Sequence, residues 1–549
     1  MTRTLLVRNK QPQHSLPGRA DKQTSSVKKI RCKRATVASY LATSRLRSSF
    51  AHRPSTTATS ATNLLGTRQS GNCQISVDMR YGLGNNASMD QSITTASLMK
   101  STVESTPTLL VLGAGPKGVA IAAKRYMLAK LGYPVPHLRI IDQQGVAPHW
   151  SGQAGFTDGN QSLGTRPEKD VGFPYLSACW GDKALSRAVA KEMLHLSWQS
   201  YLINQMRYAD WIDRGRTRPT HAEWSKYIQW VAEQVGLDLC MAEVTSIGTS
   251  ADQNHWQLTC QPSAGGTPFT LTGDGLVMTG PGTPLTIPGQ PEEHPCIMDG
   301  ASFWLHVEEF VKLRLQVKKP LNIGVIGTGE TAAAIVVALV DILRSSAFIE
   351  VISPYGVIYS RDEGFEENRL FSDPDGKLAS LYSDHQHAAN WLQLSERDRR
   401  EFLKRTDRGV FSLKAMAEIS NAENVRSVLG TVRRIHAKET TVRVDSEYDG
   451  KMKHDEYDYV VVARGFDALW FRNLLDEETR TRMAAVTQSF DARAIEHAIA
   501  ADLSLEGFTP KLHLPMLAGI AQGPGFPNLS CLGLLADRIL ASYKVSPAD

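Results

Sequence analysis

The sequence predicts an α/β fold built from two Rossmann-like dinucleotide-binding domains, the first of which is discontinuous. The stretches "TLLVLGAGPKGVAIAAK" (Thr108–Lys124) and "LNIGVIGTGETAAA" (Leu321–Ala334) both run from an apolar strand through a glycine loop into a helix. Two further apolar strands, in Gly275–Gly289 and Tyr457–Asp467, also lead into glycine turns. Such turns are expected where a chain crosses between two domains of this kind.

In the first loop, Gly113-x-Gly115-x-x-Gly118, each glycine has its own role. The first permits a tight turn, the second lets the backbone approach a pyrophosphate, and the third lets the helix pack closely on the strand. The helix, beginning near Pro116, would point its N-terminus at the phosphates. The next strand, "LRIID", ends in Asp142, where an acid would hold a ribose hydroxyl.

The second loop, Gly327-x-Gly329-x-x-Ala332, repeats this pattern and includes Glu330 as the first residue after its second glycine. Its next strand, "FIEVIS", ends at Ser353 rather than at an acid. An acid there would hold the 2′-hydroxyl of NAD and repel the 2′-phosphate of NADP, so its absence favours NADPH. Together with the two crossing segments, the order of the four motifs resembles a flavoprotein with an FAD domain and an NADPH domain. This resemblance implies that the first loop holds FAD and that the second holds the NADPH that feeds hydride to it.

Composition excludes several other functions. Residues 1–70 contain 14 Lys and Arg and one acid, whereas residues 71–549 carry a net charge of −8. Because the part predicted to fold is acidic, the overall charge of +5 does not support nucleic-acid binding. No apolar run approaches the roughly 20 residues of a membrane span. The seven cysteines contain no C-x-x-C pair, which excludes a flavin disulfide reductase and predicts reduced thiols in the cytoplasm.

The first hundred residues are rich in Ser, Thr, Arg and Lys and lack apolar periodicity. We predict that residues 1–105 form a disordered, dispensable tail, because such a segment cannot bury enough apolar surface to offset its ordering entropy. Met79, Met89 and Met99 all precede the first strand and are alternative start residues. A mitochondrial transit peptide is the alternative interpretation.

The order of motifs resembles the flavin-dependent N-hydroxylating monooxygenases of siderophore biosynthesis, and most closely the L-lysine 6-monooxygenases of mycobactin-type pathways. The resemblance covers roughly Pro107 to Leu540. It is carried by six stretches: "LGTRPEKDVGFPY" (Leu163–Tyr175), "SWQSYLI" (Ser197–Ile203), "ADWIDRGRTRPTHAEWSKYIQW" (Ala209–Trp230), "EGFEENRLFSDP" (Glu363–Pro374), "RTDRGVFS" (Arg405–Ser412) and "QGPGFPNLSCLGLL" (Gln522–Leu535).

The resemblance implies that NADPH reduces FAD, that O2 reacts with the reduced flavin, and that the terminal amine of L-lysine or an acylated lysine is hydroxylated. The flavin carries the oxidative chemistry, so we assign no catalytic side chain and no metal site. The residues implied in binding are Lys169, Asn368, Asp407 and Ser530 for the substrate, and Trp150 and Leu529 for FAD. We interpret His221 and His306 as structural. A homo-oligomer is expected from relatives.

The sequence departs from the family in three places. Pro354 occupies the position of the arginine that usually binds the NADP adenosine phosphate, and we assign Arg361 to that role. Gly164 replaces a glutamine five residues before the substrate lysine. Asp407 replaces an amide, which suggests a charged contact to the substrate α-ammonium.

We predict four segments: the tail 1–105, the first part of the FAD domain 106–297, the NADPH domain 298–454, and the second part of the FAD domain with substrate residues 455–549. An ornithine N-hydroxylase or another class B flavin monooxygenase remains an alternative, although "DGASFWLHVEEF" does not match the Phe-x-Gly-x-x-x-His linker of Baeyer–Villiger and sulfur-oxidising enzymes. A flavin-binding redox protein without turnover is a further alternative.

Overall fold

One mixed sheet and one parallel sheet form the framework that positions the predicted loops. A computed structural model describes residues 106–177, 179–361, 367–373, 391–405 and 409–543. The predicted tail, residues 1–105, and the predicted substrate contact Asp407 lie outside the described residues.

The described residues fold into strands and helices that are numbered in chain order. The strands are β1 (Thr108–Leu112), β2 (His137–Asp142), β3 (Leu239–Thr249), β4 (Trp256–Pro262), β5 (Phe269–Gly273), β6 (Gly275–Met278), β7 (Ile297–Asp299), β8 (Leu321–Ile326), β9 (Ala347–Ser353), β10 (Tyr359–Arg361), β11 (Val410–Ser412), β12 (Val425–Leu429), β13 (Thr431–Ala437), β14 (Val442–Tyr448), β15 (Lys451–Tyr457), β16 (Tyr459–Val462) and β17 (Lys511–His513). The α-helices are α1 (Pro116–Lys130), α2 (Lys183–Met193), α3 (Trp198–Asn204), α4 (Tyr208–Asp213), α5 (His221–Gln234), α6 (Val307–Arg314), α7 (Glu330–Leu343), α8 (Glu367–Ser372), α9 (Glu396–Leu403), α10 (Leu413–Ser420), α11 (Glu477–Thr487), α12 (Ala492–His497), α13 (Gly519–Gln522) and α14 (Leu532–Ala541).

The first sheet has the order β17-β6-β1-β2-β3-β4-β5. Strands β17, β6, β1, β2 and β3 pair in parallel, and β4 and β5 continue the sheet in antiparallel register. The apolar run of β1 is buried, as expected for a central parallel strand covered on both faces. Because β17 comes from the C-terminal part of the chain, the sheet confirms the predicted discontinuous first domain.

The second sheet has the order β12-β9-β8-β16-β7, with every pairing parallel. Together the two sheets confirm the predicted α/β fold. The predicted boundary at 454/455 differs from this topology, because it falls inside β15 and assigns β16 to the first domain, whereas β16 pairs with β8 and β7 of the second sheet. An apolar run such as "YVVV" suits either sheet, so the sequence could not decide its partner. We propose that the second domain extends to Val462.

The two crossing segments of the chain lie against each other. Leu285 N donates to Gly465 O at 2.9 Å, and Asp467 N donates to Thr283 O at 2.8 Å. The two predicted crossing segments therefore pair through a short antiparallel β-bridge.

The C-terminal helix α14 is fixed on α1 by a buried ion pair. Lys124 Nζ lies 2.9 Å from Asp537 Oδ1, with almost no exposed side-chain surface on either residue, and Trp180 Nε1 donates to the same oxygen at 3.0 Å. Loss of one partner would leave a buried charge, so the pair constrains how α1 and α14 pack. The residues just before α14 are thereby held beside the first glycine loop.

Among the described residues, no helix has both the length and the apolar character that crossing a bilayer requires.

Candidate active site

The first glycine loop has the geometry that close approach of a phosphate group requires. Gly113 has a φ of +103°, and a Cβ added there would lie 2.2 Å from Thr279 Oγ1. A Cβ at Gly118 would lie 2.2 Å from Gly113 O, so helix and strand approach too closely for a side chain. A Cβ at Gly115 would meet nothing within 4 Å. Side chains are therefore excluded at Gly113 and Gly118, whereas the space next to Gly115, at the N-terminus of α1, is open to a phosphate group.

The carboxylate predicted to hold a ribose hydroxyl stands beside this loop. Asp142 Oδ2 accepts a hydrogen bond from Ala114 N at 2.9 Å. Its Oδ1 accepts from Gln144 N at 2.8 Å and from Gly145 N at 3.1 Å. These bonds fix the carboxylate at the end of β2, next to the loop where the nucleotide is expected.

A cavity of about 630 Å³ opens on the first loop and reaches elements of the second sheet. The predicted site residues on its wall are Gly115, Pro116, Trp150, Glu330, Arg361, Leu529 and Ser530. Other predicted site residues do not line the cavity in the part of the chain that the structure describes: Gly113, Gly118, Asp142, Gly327, Gly329, Ala332, Lys169 and Asn368. The cavity thus brings together the first loop, the start of α7 and the segment before α14.

The second glycine loop is as tight as the first. Gly327 has a φ of +132°, and a Cβ there would lie 2.2 Å from Ala463 O. Gly329 caps the N-terminus of α7, and Ala332 in its first turn is fully buried. The loop contacts the cavity through Glu330 and Thr331 rather than through its glycines. The flank of α7 then continues along the wall.

Glu330 meets the first domain at Gly164. A Cβ added at Gly164 would lie 3.2 Å from the Glu330 carboxyl group. Because position 164 is glycine rather than the family glutamine, the side chain of Glu330 can occupy the space next to it.

Lys169 and its neighbour Asp170 lie in a turn that packs on the start of α14. Lys169 Nζ lies 5.8 Å from the centre of the Phe173 ring, and Phe173 O accepts from Gly533 N at 2.8 Å. Asp170 is fully buried and accepts from Trp198 N at 2.9 Å, as well as from Tyr175 and Gly172. The carboxylate of Asp170 thus fixes the backbone that presents Lys169.

The environment of Asp170 also changes its acidity. Burial raises the pKa of the Asp170 carboxyl to about 6, although the hydrogen bonds from Trp198, Tyr175 and Gly172 lower it. The resemblance implied a role for Lys169 but did not indicate this role of Asp170.

Asn368 contacts Ser530, which lies on the wall of the cavity. Asn368 is almost fully buried and its Nδ2 donates to Ser530 Oγ at 3.3 Å. Within the described residues, Asn368 Oδ1 is buried and has no hydrogen-bond partner. A buried unpaired acceptor is uncommon, so this atom fits a donor on a bound molecule.

Sequence reasoning missed Ser372, which holds Asn368 in place. The fully buried Ser372 Oγ donates to Asn368 O at 2.6 Å and accepts from Gly525 N at 2.8 Å. A Cβ at Gly523 or Gly525 would lie 2.6 Å or 2.9 Å from this oxygen. The Gly-x-Gly of "QGPGF" was the signal in the sequence, since it marks a close approach of another element.

Two further residues line the wall, Lys117, which sequence reasoning missed, and His221, which we interpreted as structural. Lys117, inside the first loop, is buried and donates from Nζ to Pro527 O at 2.9 Å. His221 lies beside Trp150, with ring centroids 4.9 Å apart, and its Nδ1 lies 2.9 Å from Thr157 Oγ1. Burial lowers the pKa of His221 to about 4, so the ring is neutral near pH 7. His306 is away from the wall and pairs with Glu309 at 3.1 Å.

The sequence is similar to a known family of enzymes and to individual enzymes of that family. The family L-lysine 6-monooxygenase/L-ornithine 5-monooxygenase matches residues 193–468. The L-lysine N6-monooxygenase MbtG of Mycobacterium sp. (strain MCS) is 37% identical over 443 residues, which are 80% of this chain and 95% of the relative. MbtG of Mycobacterium tuberculosis (strain ATCC 25618 / H37Rv) is 37% identical over 448 residues, covering 80% and 96%.

Solved structures show the same fold. The lysine monooxygenase NbtG from Nocardia farcinica is 36% identical, with a TM-score of 0.67 over 79% of this chain and 100% of that chain. The Kutzneria sp. 744 ornithine N-hydroxylase KtzI is 17% identical with a TM-score of 0.59, over 80% and 99%. At that identity the second likeness concerns the fold alone.

Proposed function

The chain belongs to the L-lysine 6-monooxygenase/L-ornithine 5-monooxygenase family, and on this premise we propose that it hydroxylates the terminal side-chain amine of L-lysine, or of an acylated lysine, with O2, FAD and NADPH. One observation carries the proposal. A single cavity is bounded by the first glycine loop, by Glu330 of the second loop and by Ser530, the partner of Asn368. Two nucleotides and an amine substrate could meet there.

The residues of the first loop fit FAD. Apart from the chain neighbours of Gly115, no atom of the described residues lies within 4 Å of a Cβ built there, which leaves room for a pyrophosphate at the N-terminus of α1. Asp142 is held at the end of β2, where it would take a ribose hydroxyl. When bound and reduced by NADPH, FAD supplies the activation of O2.

The protein would exclude water from the reacting atoms with aromatic and apolar side chains. Trp150, Phe156, Phe466, Met516 and Leu529 all lie on the wall of the cavity. A dry site strengthens the polar contacts within it and protects reactive species from side reactions.

The substrate would be held by polar groups at the edge of this site. Lys169 would bind the α-carboxylate, since a cation is the natural partner of that group. Asn368 would accept an N–H of the substrate with its unpaired Oδ1. Asp407, from the sequence, would contact the α-ammonium. Only the neutral terminal amine has the lone pair that accepts oxygen, so the site must favour the unprotonated form.

The product, a hydroxylamine, suits hydroxamate siderophore biosynthesis, because acylation of a hydroxylamine gives a hydroxamate. We place the reaction in the cytoplasm, since the cysteines of the described residues are free thiols rather than disulfides. A homo-oligomer remains a prediction.

A hydroxylamine assay with L-lysine, L-ornithine and N-acyl-lysine tests the proposal. We expect product and stimulated NADPH oxidation with lysine or its acyl derivative, and much less with ornithine. A redox protein without turnover would give no hydroxylamine and no stimulation with any of the three, and that result would overturn the proposal.

A further inference from the structure

The turn that follows β9 marks where the adenosine end of a nucleotide would lie. The hydroxyl of Ser353, the last residue of β9, accepts hydrogen bonds from Tyr355 N at 3.3 Å and Gly356 N at 3.2 Å. In a Rossmann-like domain, the residue ending the second strand lies beside the 2′ position of the adenosine ribose. A 2′-phosphate would therefore sit near this turn, which carries no charged side chain of its own.

A cation reaches the turn from the end of α9. Lys404 Nζ lies 5.9 Å from the centre of the Tyr355 ring. The Lys404 side chain is 55% exposed and its Nζ lies 4.0 Å from a Glu401 carboxylate oxygen, the outer limit of an ion pair. Exposed pairs of this kind contribute little, so the ammonium is accessible to a stronger anion.

The backbone of Lys404 also borders the second glycine loop. A Cβ added at Gly409 would lie 2.8 Å from Lys404 O and 3.8 Å from Thr328 Oγ1. Thr328 stands between the two glycines of that loop. Lys404 therefore has its backbone close to the loop expected to hold the pyrophosphate and its ammonium beside the Tyr355 ring.

Arg361, the cation assigned from the sequence, lies in a different environment. It pairs through β10 with Ser412 of β11 and lines the cavity that also contacts Gly115 and Pro116 of the first loop. Lys404 does not belong to the described wall of that cavity. Arg361 therefore lines a cavity that reaches both loops, whereas Lys404 lies beside the turn after β9.

We propose that Lys404, held over the ring of Tyr355, is the cation that binds the 2′-phosphate of NADPH and sets its preference over NADH. This inference rests on the proposed function, which requires NADPH. It replaces the assignment of Arg361. The ammonium of a lysine is a common phosphate ligand, and a contact exposed to solvent should weaken as salt is added.

Calorimetric titration of the full-length, FAD-loaded protein with 2′,5′-ADP and 5′-AMP isolates this contact, because the two probes differ only in the 2′-phosphate. Lys404→Met should weaken binding of 2′,5′-ADP by roughly 10- to 100-fold and leave 5′-AMP within about twofold. Lys404→Arg should restore most of the loss. Arg361→Met and the matched control Lys312→Met, on exposed α6, should leave both affinities unchanged.

The inference is overturned if Lys404→Met binds 2′,5′-ADP like the unchanged protein, or if Arg361→Met alone loses it. It is also overturned if the unchanged protein binds both probes equally, even when it hydroxylates lysine with NADH as the reductant. A protein that holds 2′,5′-ADP through Lys404 but forms no hydroxylamine would support the inference and refute the proposed function.

Discussion

Asn368 Nδ2 donates a hydrogen bond to Ser530 Oγ across 3.3 Å, although the two residues lie 162 positions apart in the sequence. The bond joins α8 to the segment before α14. It leaves Asn368 Oδ1 buried and, among the described residues, without a partner. The pair therefore presents a preformed acceptor beside the cavity wall, which a substrate N–H can satisfy.

Replacement of Asn368 should weaken substrate binding. Asn368→Ala removes the acceptor, and hydrogen bonds to charged groups contribute about 1.5–3 kcal/mol, so KM for lysine should rise roughly 10- to 100-fold. Steady-state kinetics with lysine, together with the FAD content of the purified protein, measure the effect. Asn254→Ala, on an exposed turn, is the control. An unchanged KM would mean that Asn368 does not contact the substrate.

Ser372 should act through Asn368. Ser372→Ala leaves the buried Gly525 N without its acceptor, which should cost about 1–3 kcal/mol of unfolding free energy. KM for lysine should rise while FAD affinity is kept, because Ser372 contacts the backbone of Asn368 rather than the cofactor loop. Ser420→Ala, which removes an exposed hydroxyl, should change neither the unfolding free energy nor the KM for lysine. Stability loss with unchanged kinetics would restrict Ser372 to a structural role.

Lys169→Ala should raise the KM for lysine by roughly 10- to 100-fold through loss of the α-carboxylate contact. FAD content and the anaerobic reduction of the flavin by NADPH should be nearly unchanged, since Lys169 is not on the described wall beside the first loop. Lys169→Arg keeps the charge and should retain part of the affinity. Loss of flavin in Lys169→Ala would instead identify a structural residue.

Asp170 should make stability depend on pH in an unusual direction. Its pKa is raised by burial to about 6 from a usual value of 3.8, so the folded protein binds the proton more tightly than the unfolded chain. Acidification from pH 7 to pH 4 should therefore add stability through this residue, by about 3 kcal/mol at most.

The Asp170 effect is measured as the difference in unfolding free energy between the unchanged protein and Asp170→Asn at several pH values. As the pH falls through 6, the unfolding free energy of the unchanged protein should rise relative to that of Asp170→Asn. A difference that is constant from pH 7 to pH 4 would show that the carboxyl titrates alike in both states.

The framework could be predicted from the sequence because its signals are local. The strand ending before Gly113, the acid at Asp142 and the strand ending at Ser353 all lie where the pattern placed them. The helix predicted to follow the second loop begins at Glu330, directly after the capping Gly329. Glycine loops and apolar runs are properties of adjacent residues, so they can be recognised without knowing the fold.

Contacts between distant segments could not be predicted in this way. Ser372 and Gly525 are 153 positions apart, and the glycines of "QGPGF" indicate that some element approaches closely but not that this element carries Ser372. The partner sheet of β16 and the place of Lys404 over Tyr355 depend likewise on packing between elements. The family resemblance implied Lys169, Asn368 and Ser530 as substrate residues, but it could not indicate which residues hold them in position.

The most direct test of the central claim follows the oxygen atom. FAD-loaded protein, NADPH and L-lysine are incubated under ¹⁸O₂, and the product is analysed by mass spectrometry. The proposed monooxygenase chemistry predicts one ¹⁸O atom on the terminal nitrogen of lysine, with no more than one such product per NADPH consumed. NADPH oxidation that yields only hydrogen peroxide, or a product without ¹⁸O, would contradict the proposed function.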